Sequence, residues 1–163
     1  MRELRRLEND DSALEGLPLQ LLIIALVLSI GLPVVYSSIR YHDTQRVLQD
    51  LEEKAIFIEE KSRQIYLHGE GNSDVLTLKL EDGIFQQIKF MEITNETFTN
   101  QIQWKLNDGR GGRHFIEDDI PLISEETPLR LGRGEHRLRF ECEFGNPPEM
   151  HEELLYVKVS KIG

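Results

Sequence analysis

Residues 16–36 read GLPLQLLIIALVLSIGLPVVY and contain no Asp, Glu, Lys, Arg or His. Leu17 to Tyr36 is 20 residues, about 30 Å as a helix, the hydrocarbon thickness of a bilayer. Leu, Ile and Val fall on every helical face, so no single stripe is set aside for packing on a soluble core. The run exceeds the apolar region of a secretory signal peptide and is not followed by a small-x-small cleavage site. A buried helix and a signal peptide are the competing readings; a membrane span at 16–36 is the one expected. Tyr36 stands where an interfacial aromatic belongs. Pro18 is tolerated near a helix start, and Pro33 is expected to bend the helix.

This segment divides the chain into a leader at 1–15, a span at 16–36, a stalk at 37–70 and a head at 71–163. The net charge of −10 is divided unevenly. Residues 1–36 hold three basic and five acidic side chains, contributing −2, and the remaining −8 lies in the stalk and head. Such acidity argues against nucleic acid as a partner, because phosphate backbones demand clustered Lys and Arg. Arg2, Arg5 and Arg6 precede the span and Arg40 and Arg46 follow it, a small excess favouring a cytoplasmic N-terminus and an exterior head.

In the stalk, Val47, Leu51, Ala55, Ile58, Ser62 and Ile65 recur at spacings of four and three, an amphipathic stripe. Glu52, Glu53, Lys54, Glu59, Glu60, Lys61 and Arg63 fill the other faces. The helix is expected from about residue 14 to 68, stopped by Gly69-Glu70-Gly71-Asn72. The stripe is expected to pack on the chain's own head, with neighbouring helices in a filament or small bundle as the alternative partner.

Beyond residue 75 the period changes to two. Strands are expected at Val75–Leu80, Ile84–Ile93, Gln101–Leu106, His114–Ile116, Arg137–Phe144 and Leu154–Ser160. In the fifth of these, Leu138, Phe140, Cys142 and Phe144 should share one face. Turn chemistry separates the strands at Glu81-Asp82-Gly83, Asn107-Asp108-Gly109, Gly132-Arg133-Gly134 and Gly145-Asn146-Pro147-Pro148. The fold class expected is α+β: a long N-terminal transmembrane and stalk helix, then a small antiparallel β-sandwich-like head. Leu76, Leu78, Leu80, Ile88, Phe90, Trp104, Leu138, Phe140 and Leu155 are the core candidates. An exposed edge strand would be an assembly surface.

Little in the chain points to catalysis, and no enzyme activity, cofactor or resident metal is expected. His42, His68, His114, His136 and His151 have no metal-ligand spacing, although His114 and His136 could meet across strands. Cys142, the one cysteine, lies on an inward strand face, where a thiol is inert. Gly109-Arg110-Gly111-Gly112 lacks the Lys-Ser/Thr of a phosphate loop and reads as a hairpin turn. Glu117-Asp118-Asp119 with Asp108 is a weak calcium candidate, set against a merely solvated acidic loop. Asn95-Glu96-Thr97 is a glycosylation sequon in an expected turn, relevant if the head is outside the cell.

The leader MRELRRLENDDSALEG, followed by the long apolar run, resembles type IV pilin precursors, and DSALEGLPLQLLIIALVLSIGLP resembles the start of archaeal pilin-like surface proteins. The resemblance implies cleavage by a membrane peptidase before the apolar segment, which stays on the mature protein as the filament-forming helix. Cleavage between Asp10 and Asp11 would place Glu15 at the fifth mature position, where the family carries a Glu that pairs with a neighbouring N-terminal amine; cleavage after Gly16, as in the bacterial pattern, would instead leave Leu21 fifth and remove Glu15. Asp11 then stands where the archaeal pattern has Gln, and Ala13 where it has Ser. The partners implied are membrane lipid, other pilin-like subunits, a prepilin peptidase and pilus assembly machinery. The implied location is the cell membrane, single-pass, with the head outside and the function structural or adhesive. The alternatives are a single-pass protein that never polymerises and binds the cell wall or serves a filament as an accessory, and a binding module or enzyme merely tethered by the helix.

Overall fold

The computed structural model describes the backbone of residues 4–96, 99–116, 120–126, 128–147 and 153–162. It describes the side chains of 18–94, 101–116, 120–126, 128–147 and 153–162. It comprises two units, Met1–His42 and Asp43–Gly163.

Helix α1 is Leu4–His68, with Pro18 and Pro33 inside it. It begins about ten residues earlier than the sequence pattern indicates. The leader is rich in Arg, Leu and Glu, all good helix formers, and no Gly or Pro falls before Gly16. It ends as expected: Gly69 takes a φ of 83° and Gly71 one of 82°, left-handed values that glycine adopts without a steric penalty. The Asn72 side chain donates to the freed His68 carbonyl at 2.8 Å, satisfying one of the orphan acceptors of the last turn.

Within the first unit, Leu19, Leu22, Ile24, Val27, Leu28, Ile30 and Val34 are all half or more exposed. Among the described residues one helical segment is long and apolar enough to cross a membrane, and none of that apolar window is buried inside the protein.

The second unit holds the rest of α1 and eight strands: β1 (Ser73–Leu80), β2 (Ile88–Glu96), β3 (Thr99–Leu106), β4 (Gly111–Phe115), β5 (Leu122–Ser124), β6 (Leu129–Leu131), β7 (Gly134–Gly145) and β8 (Leu154–Ile162). They form two four-stranded sheets, ordered β1-β7-β8-β5 and β4-β3-β2-β6. Every pairing is antiparallel except β5 with β8, where Leu122 lies opposite Val157. The chain is therefore α+β, a long helix followed by a two-sheet head.

The stalk stripe does belong to the head. Val47, Leu51, Ala55, Ile58 and Ile65 join Leu78, Leu80, Met91, Ile93, Ile102, Leu106, Leu138, Phe140, Val157 and Val159 in one buried cluster, and Ser62 is buried among them. Lys61 reaches Asp74 on β1 at 2.7 Å, and Glu59 reaches His114 on β4 at 2.5 Å. The helix therefore lies between the edge strands of the two sheets and covers the open side of the sandwich.

Several expectations change. The run Ile84–Ile93 is strand only from Ile88, because the amides of residues 84–86 are taken by Asp43 and cannot join a ladder. A register shift between Ile88 and Phe90 then reverses the alternation. Ile88, Met91 and Ile93 face the core, while Phe90 is only half-buried and lies under the Arg130 guanidinium, 4.8 Å from its ring centroid. Leu76 and Leu155 are likewise half-buried, packed on the margin of the core. On β7 the inward alternation ends at Cys142, and Phe144 is exposed. Strands β5 and β6, three residues each, are too short to show a period.

Candidate functional site

Two parts of the molecule stand out: the exposed apolar stretch of α1, and a collar of loops at the end of the head where α1 enters the second unit. The collar is built on Asp43, the first acidic residue after Glu15. Its carboxylate accepts the backbone N–H of Ile84 at 2.9 Å, of Phe85 at 2.8 Å and of Gln86 at 3.2 Å. Burial alone would push this carboxyl up. The amides of Phe85, Ile84 and Gln86, with the charge of Arg46, outweigh that effect and hold it below its ordinary range.

The loop so held is further tied down. Gly83 N–H donates to the Gln86 carbonyl at 2.8 Å, Ile88 N–H to Asp82 at 2.8 Å, and Asn107 N–H to the Gln87 carbonyl at 2.9 Å. The last bond links the β1–β2 loop to the β3–β4 turn. There Asp108 grips Arg110 at 2.7 Å, and Arg110 donates to the fully buried Thr44 hydroxyl at 3.1 Å. Beside the collar Arg46, Val47, Gln49, Asp50, Glu53, Glu81 and Asp82 line a groove of about 250 Å³. Its charges are largely paired: Asp50 with Lys54, Glu81 with Lys79, Asp82 with Arg133.

Two other buried carboxylates also pair within the head. Glu59 meets His114 at 2.5 Å and Arg63 at 3.2 Å. On the outer face of the second sheet Glu92 is buried beneath Arg130 and also accepts from Gln103 at 2.9 Å and Thr94 at 3.1 Å. Burial opposes ionisation of Glu92, but those three donors prevail and keep its carboxyl below the ordinary range. Each arrangement neutralises a buried carboxylate.

The sequence candidates fall as follows. Asp10, Asp11 and Glu15 lie within the span of α1, with side chains outside the described residues. Asn95 belongs to β2, opposite Asn100, rather than to a turn; its side chain and Thr97 lie outside the described residues. His114 and His136 do not meet, since β4 and β7 belong to different sheets. His136 donates instead to the Gly132 carbonyl at 2.7 Å. Cys142 is buried, and burial pushes its thiol up, the charge of Glu70 adding to the effect. Glu117, Asp118 and Asp119 lie outside the described residues, while Asp108 is engaged by Arg110. Among the described residues no three His, Cys, Asp or Glu side chains gather as metal ligands do. Gly109, with a φ of 92°, turns the β3–β4 hairpin, as its sequence indicates.

Sequence reasoning missed the roles of Asp43, Thr44, Glu59 and Glu92. Only the isolation of Asp43 in an otherwise uncharged or basic stretch was visible, and nothing there names a loop forty residues away. No protein-family model, curated protein or solved structure matches the chain.

Proposed function

We propose that this chain is a pilin-like subunit of a cell-surface filament, structural or adhesive rather than catalytic, assembled through its N-terminal apolar helix. The observation that carries the reading is the division of labour along α1. Its apolar stretch is buried nowhere in the protein, while the same helix from Val47 to Ile65 supplies one wall of the head's core. An apolar helix without a partner in its own chain is driven by the cost of hydrating it into a bilayer or against other such helices. On this reading a prepilin peptidase removes residues 1–10, pilus assembly machinery extracts the subunit from the membrane, and the acidic head lies outside the cell. Glu15 then pairs with the new N-terminal amine of a neighbour.

The second reading is a single-pass protein that does not polymerise and presents its β head to the cell wall or to a filament. It is favoured by Asp11 and Ala13, which stand where the archaeal pilin pattern has Gln and Ser. Mass spectrometry of the protein recovered from cells separates the two. The pilin reading expects an N-terminus at Asp11, and loss of sedimentable filaments in Glu15→Gln with the head still folded. A retained Met1 with no sedimentable filaments supports the non-polymerising anchor.

A further inference from the structure

The β1–β2 loop presents Ile84 outward, 76% exposed, with Phe85 beside it at 39%. A single exposed apolar side chain is ordinary; the way this one is held is not. The amide donors of Ile84, Phe85 and Gln86 are all satisfied by Asp43, and that of Gly83 by the Gln86 carbonyl. With the four successive backbone N–H groups of residues 83–86 already bonded, the loop can enter a medium poor in water without orphaning them. Its two carboxylates are paired as well, Glu81 with Lys79 at 2.5 Å and Asp82 with Arg133 at 3.2 Å, which lowers the cost of approaching anionic headgroups.

Chain connectivity limits where the loop can be. Asp43 follows Tyr36, the last residue of the uncharged run, by seven residues. That separation is about 10 Å as helix and at most about 25 Å fully extended. Arg40 and Arg46, both exposed, flank Asp43 in sequence and suit phosphate groups.

We propose that the loop 81–87 docks in the headgroup layer of the bilayer that holds α1, with Ile84 and Phe85 inserted as an interfacial anchor. The proposal rests on the membrane-anchor reading of α1. It gives the head a second attachment to the lipid surface, made by the loop that Asp43 clamps to the helix.

The test uses the full chain reconstituted into vesicles of phosphatidylcholine and phosphatidylglycerol, with acyl chains brominated near the headgroup. Ile84→Trp is compared with Phe144→Trp, an exposed site two residues beyond Cys142, whose carbonyl bonds Gly71 just past the other end of the head's helix. Ile84 is so exposed that the larger side chain leaves the fold intact. The native Trp104, buried in the core, provides the background signal in the unsubstituted protein. Bromine quenching of Ile84→Trp is expected to exceed that of Phe144→Trp by about twofold or more, as for an interfacial indole. Protein that floats with the vesicles but shows equal quenching at both sites overturns the loop proposal and leaves the anchor reading standing. Protein that does not float overturns both. An Ile84→Trp emission that ignores lipid but shifts to the blue as protein concentration rises assigns the loop to a second copy of the chain and overturns the proposal.

Discussion

The Asp43 carboxylate occupies the space that a β-carbon on Gly83 would need: such an atom would sit 2.5 Å from Oδ2 and 2.6 Å from Oδ1. Three amides pin that carboxylate, so it cannot swing aside without breaking them. Gly83→Ala should therefore destabilise the head by about 1–3 kcal/mol, the ordinary cost of overpacking or of a stranded donor. A fall in the unfolding midpoint of the detergent-solubilised chain checks this. An unchanged midpoint would show that the loop shifts freely and that the clamp is weak.

Acid should weaken the head through Asp43 and Glu92. Both carboxyls are held below their ordinary values in the folded protein, despite burial, by the donors around them. A depressed folded value stabilises the fold above the unfolded value, and that stability is lost as pH falls through the folded one. The loss should begin below about pH 4–5, where unfolded carboxylates protonate. Asp43→Asn should flatten this acid limb while lowering stability at neutral pH. Denaturation midpoints across a pH series measure both effects.

Leu51 and Phe57 face different ways on α1's stalk, the first fully buried and the second 55% exposed. Leu51→Ala should cost about 2–5 kcal/mol, because the cavity opens inside the shared core. Phe57→Ala should stay within about 0.5 kcal/mol. Chemical denaturation of the two variants tests whether the stalk is integral to the head, and similar losses would contradict it.

Gly112 faces the indole of Trp104, which a β-carbon would meet at 2.6 Å. Gly112→Ala should displace the ring, lower stability by about 1–3 kcal/mol and shift the emission of the chain's one tryptophan. Fluorescence of the native state reads that displacement directly.

The apolar segment, the stalk stripe, its glycine stop and six of the strands are legible in the sequence because each depends on neighbours within a turn or a pleat. Val47 to Ile65 repeat every three or four residues, and Leu138, Phe140 and Cys142 every two, so one face of each is apolar whatever the rest of the chain does. The clamp was not legible, because Asp43 and Ile84 are about forty residues apart and their bond exists only once the head has closed on the helix. Phe90 could not be placed outside the core from its pattern, since the register shift after Ile88 is a property of the pairing with β3. Strands β5 and β6 owe their existence to β8 and β2, which supply the hydrogen bonds that three residues cannot earn by propensity. Sequence alone determined the elements whose apolar period is local. Tertiary structure decided which carboxylates are buried and what neutralises them, because desolvation is tolerated only where distant donors converge.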